Sequence, residues 1–233
     1  MRKLTYATII LVAVFAVAQQ PATPPTAHSH HAAQPAVSPG KIWSELMAGN
    51  RRFVSGRPEP QPVVSIRKSL TKAQHPKAML LSCSDSRVPP DVIFDQTLGS
   101  LFEVRTAGNI TGPLGLASLE YAFDHLSTTV LVVLGHTKCG AVTAACSGEK
   151  MPTPNLQAMV DQIEPAVMKV KQTATGDALI EAAIKENVHQ SAMNVVAKSE
   201  VLRHAKEEGE LTIIEAEYHL DTGQVIRLDN GPR

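Results

Sequence analysis

Residues 78–87 read Ala-Met-Leu-Leu-Ser-Cys-Ser-Asp-Ser-Arg, and residues 130–140 read Val-Leu-Val-Val-Leu-Gly-His-Thr-Lys-Cys-Gly. Each is an apolar run of strand type that ends in soft or borderline metal donors. Thr129–Leu134 is β-branched and apolar throughout, the pattern of a strand buried on both faces. In an open α/β sheet, ligands gather outside the carboxyl ends of the strands. If these two strands are neighbours, Cys83, Asp85, His136 and Cys139 converge there without help from any other part of the chain.

The surrounding pattern alternates strands with helices. Lys77–Ser82 is expected as a strand. Asp91–Phe94 together with Leu101–Arg105 reads as a second β region, and Ala107-Gly108-Asn109 as a turn. Gly112–Leu126 has its apolar residues Leu116, Leu119, Phe123 and Leu126 at helical spacing. A helix begins at Gly140. Asn155–Val170 is amphipathic, with Leu156, Met159, Val160, Ile163 and Val167 in register. Asp177–Lys206 is expected to be helical with a break near Glu186-Asn187. Glu210–Leu220 and Gln224–Leu228 read as two strands joined at Asp221-Thr222-Gly223. The predicted fold is α/β: a single domain with a mostly parallel central β-sheet flanked by helices, and an antiparallel hairpin at one edge.

Toward the N-terminus, Lys41–Phe53 places Ile42, Trp43, Leu46 and Met47 on one helical face, with Ser38-Pro39 as a start signal. A proline-rich spacer, Pro58–Pro62, follows. Such a helix is expected to project from the domain and pack on something distant, for which a second subunit is a candidate. Residues 1–18 read as a signal peptide: Arg2 and Lys3, an apolar run from Tyr6 to Val17, and a small-x-small site at Ala16-Val17-Ala18. The run is short for a span that needs about 20 apolar residues, so cleavage before Gln19 is expected over an uncleaved anchor. The protein is therefore expected to be exported, periplasmic or secreted. Residues 19–40, rich in Pro, Ala and His, lack apolar periodicity and read as a disordered linker. It carries His28, His30 and His31, which as solvated residues or as metal collectors remain two open readings. The folded domain is expected over 41–233.

The 233-residue chain has 22 basic and 22 acidic side chains and a net charge of +0. It lacks the basic footprint of a nucleic-acid binder. Three cysteines in an exported protein is an odd count, so a Cys83–Cys139 disulfide competes with metal binding. Catalytic zinc sites keep three protein ligands and one open position; Cys83, His136 and Cys139 would supply the three. Arg87 is close enough to hold the Asp85 carboxylate by a charge-assisted pair. Released, Asp85 could swing onto the metal as a fourth ligand and close the site. A closed structural zinc site is the further alternative. A phosphatase-type Cys-x5-Arg loop is excluded, because Arg87 lies only four residues after Cys83.

Cys83-Ser-Asp85-Ser-Arg87-Val-Pro-Pro and His136-x-x-Cys139-Gly140 resemble the two signature motifs of the β-class carbonic anhydrases. Further similar stretches are Leu46-x-x-Gly49-Asn50-x-x-Phe53, Phe94-Asp95-Gln96, Phe102-x-Val-Arg105-x-Ala-Gly108-Asn109 and Leu119-Glu120-Tyr121-Ala122. The resemblance implies one zinc (Zn2+) per subunit, held by Cys83, His136 and Cys139, with Asp85 and Arg87 as a dyad. It implies that Gln74 donates to a substrate oxygen and that Phe102, Ala107, Tyr121 and Gly140 line the pocket. Leu80 stands where a bicarbonate-inhibited subtype has Trp, which favours the open, water-bearing subtype. The implied activity is reversible hydration of carbon dioxide to bicarbonate and a proton by zinc-bound hydroxide, in a homodimer or higher even oligomer. A non-catalytic zinc-buffering module and a hydrolase of carbon disulfide or carbonyl sulfide are the alternatives. Glu215 departs from the family, which commonly has Gly there; a local effect at the sheet edge is expected.

Overall fold

A computed structural model describes residues 37–228. The expected signal peptide 1–18, and the linker 19–40 up to residue 36 with His28, His30 and His31, lie outside the described residues. Among the described residues, no helix is long and apolar enough to cross a membrane.

Five strands form one sheet: β1 (Ala78–Ser82), β2 (Leu101–Arg105), β3 (Val130–His136), β4 (Thr212–Tyr218) and β5 (Val225–Arg227), in the order β2-β1-β3-β4-β5. The first four are mutually parallel and β5 is antiparallel to β4. This is the expected fold class. Every residue of β1 and β3 is buried, as their unbroken apolar runs require. On one face, Ala78, Leu80, Val130, Val132, Leu134, Ile214 and Ala216 pack under α1 (Pro39–Val54) and α3 (Pro90–Ile93). On the other, Met79, Leu81, Leu131 and Val133 pack under α4 (Pro113–Leu126), α7 (Gly176–Lys198) and α8 (Glu200–Glu207). A third cluster joins α5 (Gly140–Ser147) and α6 (Pro154–Val170) to α7 around Cys83 and Cys139.

Four local expectations are corrected. Asp91–Phe94 is not β: Pro90 occupies the first turn of α3, where its fixed φ and missing N–H suit a helix start. The proline-rich spacer is followed by a short helix, α2 (Val63–Ser69), which buries no residue and so left no apolar signal. The break expected at Glu186-Asn187 falls instead at Ser199, which is extended, closes α7 and caps α8 by accepting from the Leu202 amide at 3.2 Å. Glu215 is not at an edge: β4 lies between β3 and β5, and the Glu215 carboxylate meets His189 Nδ1 of α7 at 3.1 Å.

The helix expected to project begins at Pro39, with Ser38 as its cap. Its apolar side is covered by its own chain, where Ile42, Trp43 and Leu46 join the core. The buried Asn50 fastens it. Its amide donates to the carbonyls of Ile93 (3.1 Å) and Gly223 (2.9 Å), and its oxygen accepts from the Val225 amide (3.0 Å). Next to it, Gly49 lets α1 touch α3: a Cβ there would sit 1.7 Å from the Phe94 carbonyl oxygen. Gly49→Ala is therefore expected to force the two helices apart and cost about 1–3 kcal/mol, as overpacking does. Thermal unfolding measures this, and an unchanged midpoint would contradict the contact.

Candidate metal centre

The strand order places the site. β1 and β3 are adjacent, with Ser82 beside Leu134, and β2 and β4 lie to opposite sides of them. This is the point at which an α/β sheet reverses direction and opens a crevice. Cys83 is the first residue after β1, and His136 is the last residue of β3. The chain then turns through Lys138, which has left-handed backbone (φ 57°). A non-glycine residue holds such a conformation only where its surroundings impose it. Here Thr137 is pinned on both sides: its amide donates to the Tyr218 carbonyl, and its hydroxyl accepts from the Leu220 amide, both at 3.0 Å. The turn brings Cys139 back beside His136, at the N-cap of α5.

The donor atoms of Cys83, His136 and Cys139 lie within 4.8 Å of one another, and all three residues are buried. The two sulfurs are 4.0 Å apart and both cysteines are free thiols, so the competing disulfide is not formed. Zinc held tetrahedrally at about 2.3 Å from each sulfur would set them roughly 3.8 Å apart. The imidazole of His136 is fully buried. Its Nδ1 lies 2.9 Å from the Thr137 carbonyl, which assigns the proton to Nδ1 and leaves a lone pair on Nε2. That nitrogen has no hydrogen-bond partner. A buried orphaned acceptor is costly, and a metal ion between the two sulfurs satisfies it. Two thiolates and one imidazole are a donor set that suits zinc.

The two sulfurs lie within hydrogen-bond reach of each other. The hydrogen bond from Cys139 holds the Cys83 thiol far below its ordinary range against the effect of burial, with further help from His136 and the Gly108 amide. The same bond, together with burial, pushes Cys139 up.

Asp85 stands outside the three-donor cluster. Arg87 Nε donates to its Oδ1 at 2.9 Å, Arg87 Nη2 to its Oδ2 at 2.7 Å, and the Arg87 amide to Oδ1 at 2.9 Å. This grip holds the carboxyl well below the usual carboxylate range. Oδ2 is 3.9 Å from His136 Nε2, so the carboxylate faces the cluster. Arg105, at the end of β2, braces the same loop by donating to the carbonyls of Cys83 (3.2 Å) and Asp85 (2.8 Å). Sequence reasoning assigned Arg105 no role. A strand-terminal Arg is a common solvated residue, and only the β1–β2 register turns it toward the ligand loop.

The expected pocket residues divide into two groups. Ala107 and Gly140 are exposed beside the ligands, and a Cβ on Gly140 would meet open space. Phe102 pairs with Met79, near the opposite end of β1 from Cys83. It packs against Tyr121, which stacks on His125. Gln74 is exposed and precedes β1. Within one chain, Gln74, Phe102 and Tyr121 therefore do not come together with the metal donors.

The family model for carbonic anhydrase matches residues 78–225. Carbonic anhydrase 2 of Mycobacterium tuberculosis is 35% identical over 200 residues, spanning 84% of this chain and 96% of that protein. The solved β-carbonic anhydrase CcaA superposes with a TM-score of 0.65 at 25% identity, over 80% of this chain and 95% of the other. This chain belongs to the β-carbonic anhydrase family. The fold is shared also with tetrameric β-carbonic anhydrases of Sordaria macrospora, with a TM-score of 0.65 at 22% identity over 83% of this chain and 100% of the other. β-Carbonic anhydrases use zinc, and the Cys83–His136–Cys139 cluster is the corresponding site in this chain.

Two outcomes follow for this member of the family. Elemental analysis should find one zinc per chain, lost in Cys83→Ser and His136→Ala but kept on replacing the third cysteine, which is outside the donor cluster, in Cys146→Ser; zinc retained by His136→Ala would refute the assignment. The Asp85 carboxyl is depressed in the folded protein. The pair with Arg87 therefore supports folding at pH values above the unfolded value of about 3.9, and its support is lost as pH falls through the lower folded value. An NMR titration should find Asp85 still ionised at about pH 4, the ordinary carboxylate midpoint. Half-protonation there would contradict the grip by Arg87.

Proposed function

We propose that the Cys83–His136–Cys139 site hydrates carbon dioxide reversibly to bicarbonate and a proton. The observation that carries this reading is a buried three-donor cluster beside which Arg87 holds the carboxylate of Asp85. Zinc bound there supplies a Lewis acid that makes water a nucleophile at working pH. Cys83, His136 and Cys139 would hold the metal. The hydrogen bond at Nδ1 fixes which nitrogen of His136 faces it. Asp85, kept ionised, only accepts hydrogen bonds. Facing the donors, with Oδ2 3.9 Å from His136 Nε2, it would accept a hydrogen bond from a water beside them, favour a proton-bearing oxygen over a bare anion, and orient it for attack. Ala107 and Gly140 leave room beside the ligands. The buffering alternative needed Asp85 as a fourth ligand, and its engagement by Arg87 speaks against that. A substrate panel with carbonyl sulfide and carbon disulfide tests the hydrolase alternative on the same scaffold.

The reading extends to assembly. β2 is an edge strand, and an open edge is a surface that proteins cover or pair. Gln74, Phe102 and Tyr121 lie on that side, away from their own metal donors. A second copy docked there would carry these side chains to its partner's site, where the Gln74 amide donates to the substrate oxygen. It extends to location as well: the Arg2-Lys3 start, apolar run and Ala16-Val17-Ala18 site support export, with a mature N-terminus at Gln19.

Stopped-flow hydration of carbon dioxide by the zinc-loaded protein tests the activity. Asp85→Ala is expected to lower kcat/KM by about 10²-fold or more, in the range of a positioned proton-handling group. A folded, zinc-loaded protein without hydration activity at alkaline pH would overturn the reading. Mixing inactive Gln74→Ala and His136→Ala chains tests the shared site. Mixed dimers should regain part of the activity, and sedimentation showing only monomers would contradict the assembly.

A further inference from the structure

Asn187 sits near the middle of α7 with none of its surface exposed. Asn is a poor residue for a helix interior, and a buried amide is costly without partners. Its side chain is nevertheless only half used: Nδ2 donates to the Gly108 carbonyl at 2.8 Å, while Oδ1 has no partner. The neighbours of Asn187 on the buried side of α7 are Ala183, Ile184, Val188, Ala192 and Val195. The exception is Ser191, one turn on, whose hydroxyl accepts from Asn109 Nδ2 at 3.5 Å. Two polar residues one helical turn apart thus dock two consecutive residues of the turn that follows β2.

That turn is in unusual backbone. Gly108 has φ 76° and ψ 21°, and Asn109 has φ 46°. Two successive left-handed residues persist only when something holds them. The turn also closes tightly: a Cβ on Gly108 would lie 2.7 Å from Ile163 Cδ1 and 3.2 Å from the Ala141 Cβ. The other side of Gly108 faces the metal centre, where its amide donates to Cys83 Sγ at 3.3 Å. Holding the Gly108 carbonyl fixes its dihedrals and thereby the direction of its N–H.

We infer that Asn187 is a positioning residue for the metal centre: by anchoring Gly108 it aims the Gly108 amide at the Cys83 sulfur, and so sets how strongly that thiolate donates to zinc. The inference rests on the zinc-hydratase reading and deepens it. Two thiolates donate more charge than imidazoles and make a metal a weaker acid. An N–H donated to one of them withdraws charge and restores acidity. The orphaned Asn187 amide oxygen is the local cost of placing that donor.

The test uses cobalt(II) in place of zinc in the full-length protein, where the sulfur-to-metal charge-transfer band reports the thiolate directly. Asn187→Ala is expected to move the band to longer wavelength, since an unpaired thiolate gives up charge more readily. In the zinc form, the hydration pH profile should move to the alkaline side. Val195→Ala, on the same buried side of α7, removes packing but no hydrogen bond. It should lower the unfolding temperature without moving the band. If Asn187→Ala does not fold, Asn187→Ser takes its place, being too short to reach Gly108. A folded Asn187 variant whose band matches the parent overturns the inference, whatever its activity. A band that moves in a protein inactive from the start upholds it and sinks the hydratase reading instead.

Discussion

Everything at the site depends on β1 and β3 running parallel, side by side and fully buried. That pairing puts Cys83 and His136 at the same end of the sheet, and the turn through Lys138 returns Cys139 to the pair. No side chain has to travel to assemble the donors. Burial then raises the stakes. The unpartnered Nε2 of His136 and the two close, buried sulfurs are a donor set that a cation between them would satisfy.

Around this centre, charge is managed by contacts that touch the donors without belonging to them. Arg87 keeps Asp85 ionised and occupied. Arg105 braces the backbone of the same loop. The Gly108 amide, held from α7 by Asn187, meets the Cys83 sulfur. The three come from different elements, which ties the chemistry to the packing of the whole sheet face. A change on α7 can therefore reach the metal through one turn of backbone.

The donors and the dyad were legible because their chemistry is local: short motifs at the ends of apolar runs. The central strands were legible for the same reason, since burial on both faces writes an unbroken apolar run. What escaped depends on contacts distant in sequence. Asp91–Phe94 is apolar enough for a strand, and only the proline pair before it marks a helix start. Asn187 read as part of a helix break; its partner, Gly108, is 79 residues away. The apolar face of α1 correctly announced a packing surface but not its owner, and Asn50 and Gly49 settle it on the same chain. Gln74, Phe102 and Tyr121 belong to the pattern of the family, yet one chain does not gather them, so their place turns on assembly.

The central claim is that the chain gives the metal three donors and keeps Asp85 off it. Zinc-edge X-ray absorption on the parent and on Asp85→Ala tests this most directly. Both should show two sulfurs at about 2.3 Å and two lighter atoms at about 2.0 Å, unchanged by the substitution. A first shell that loses a light atom when Asp85 is removed would show that the carboxylate ligates the metal, and the account of an open site would fail.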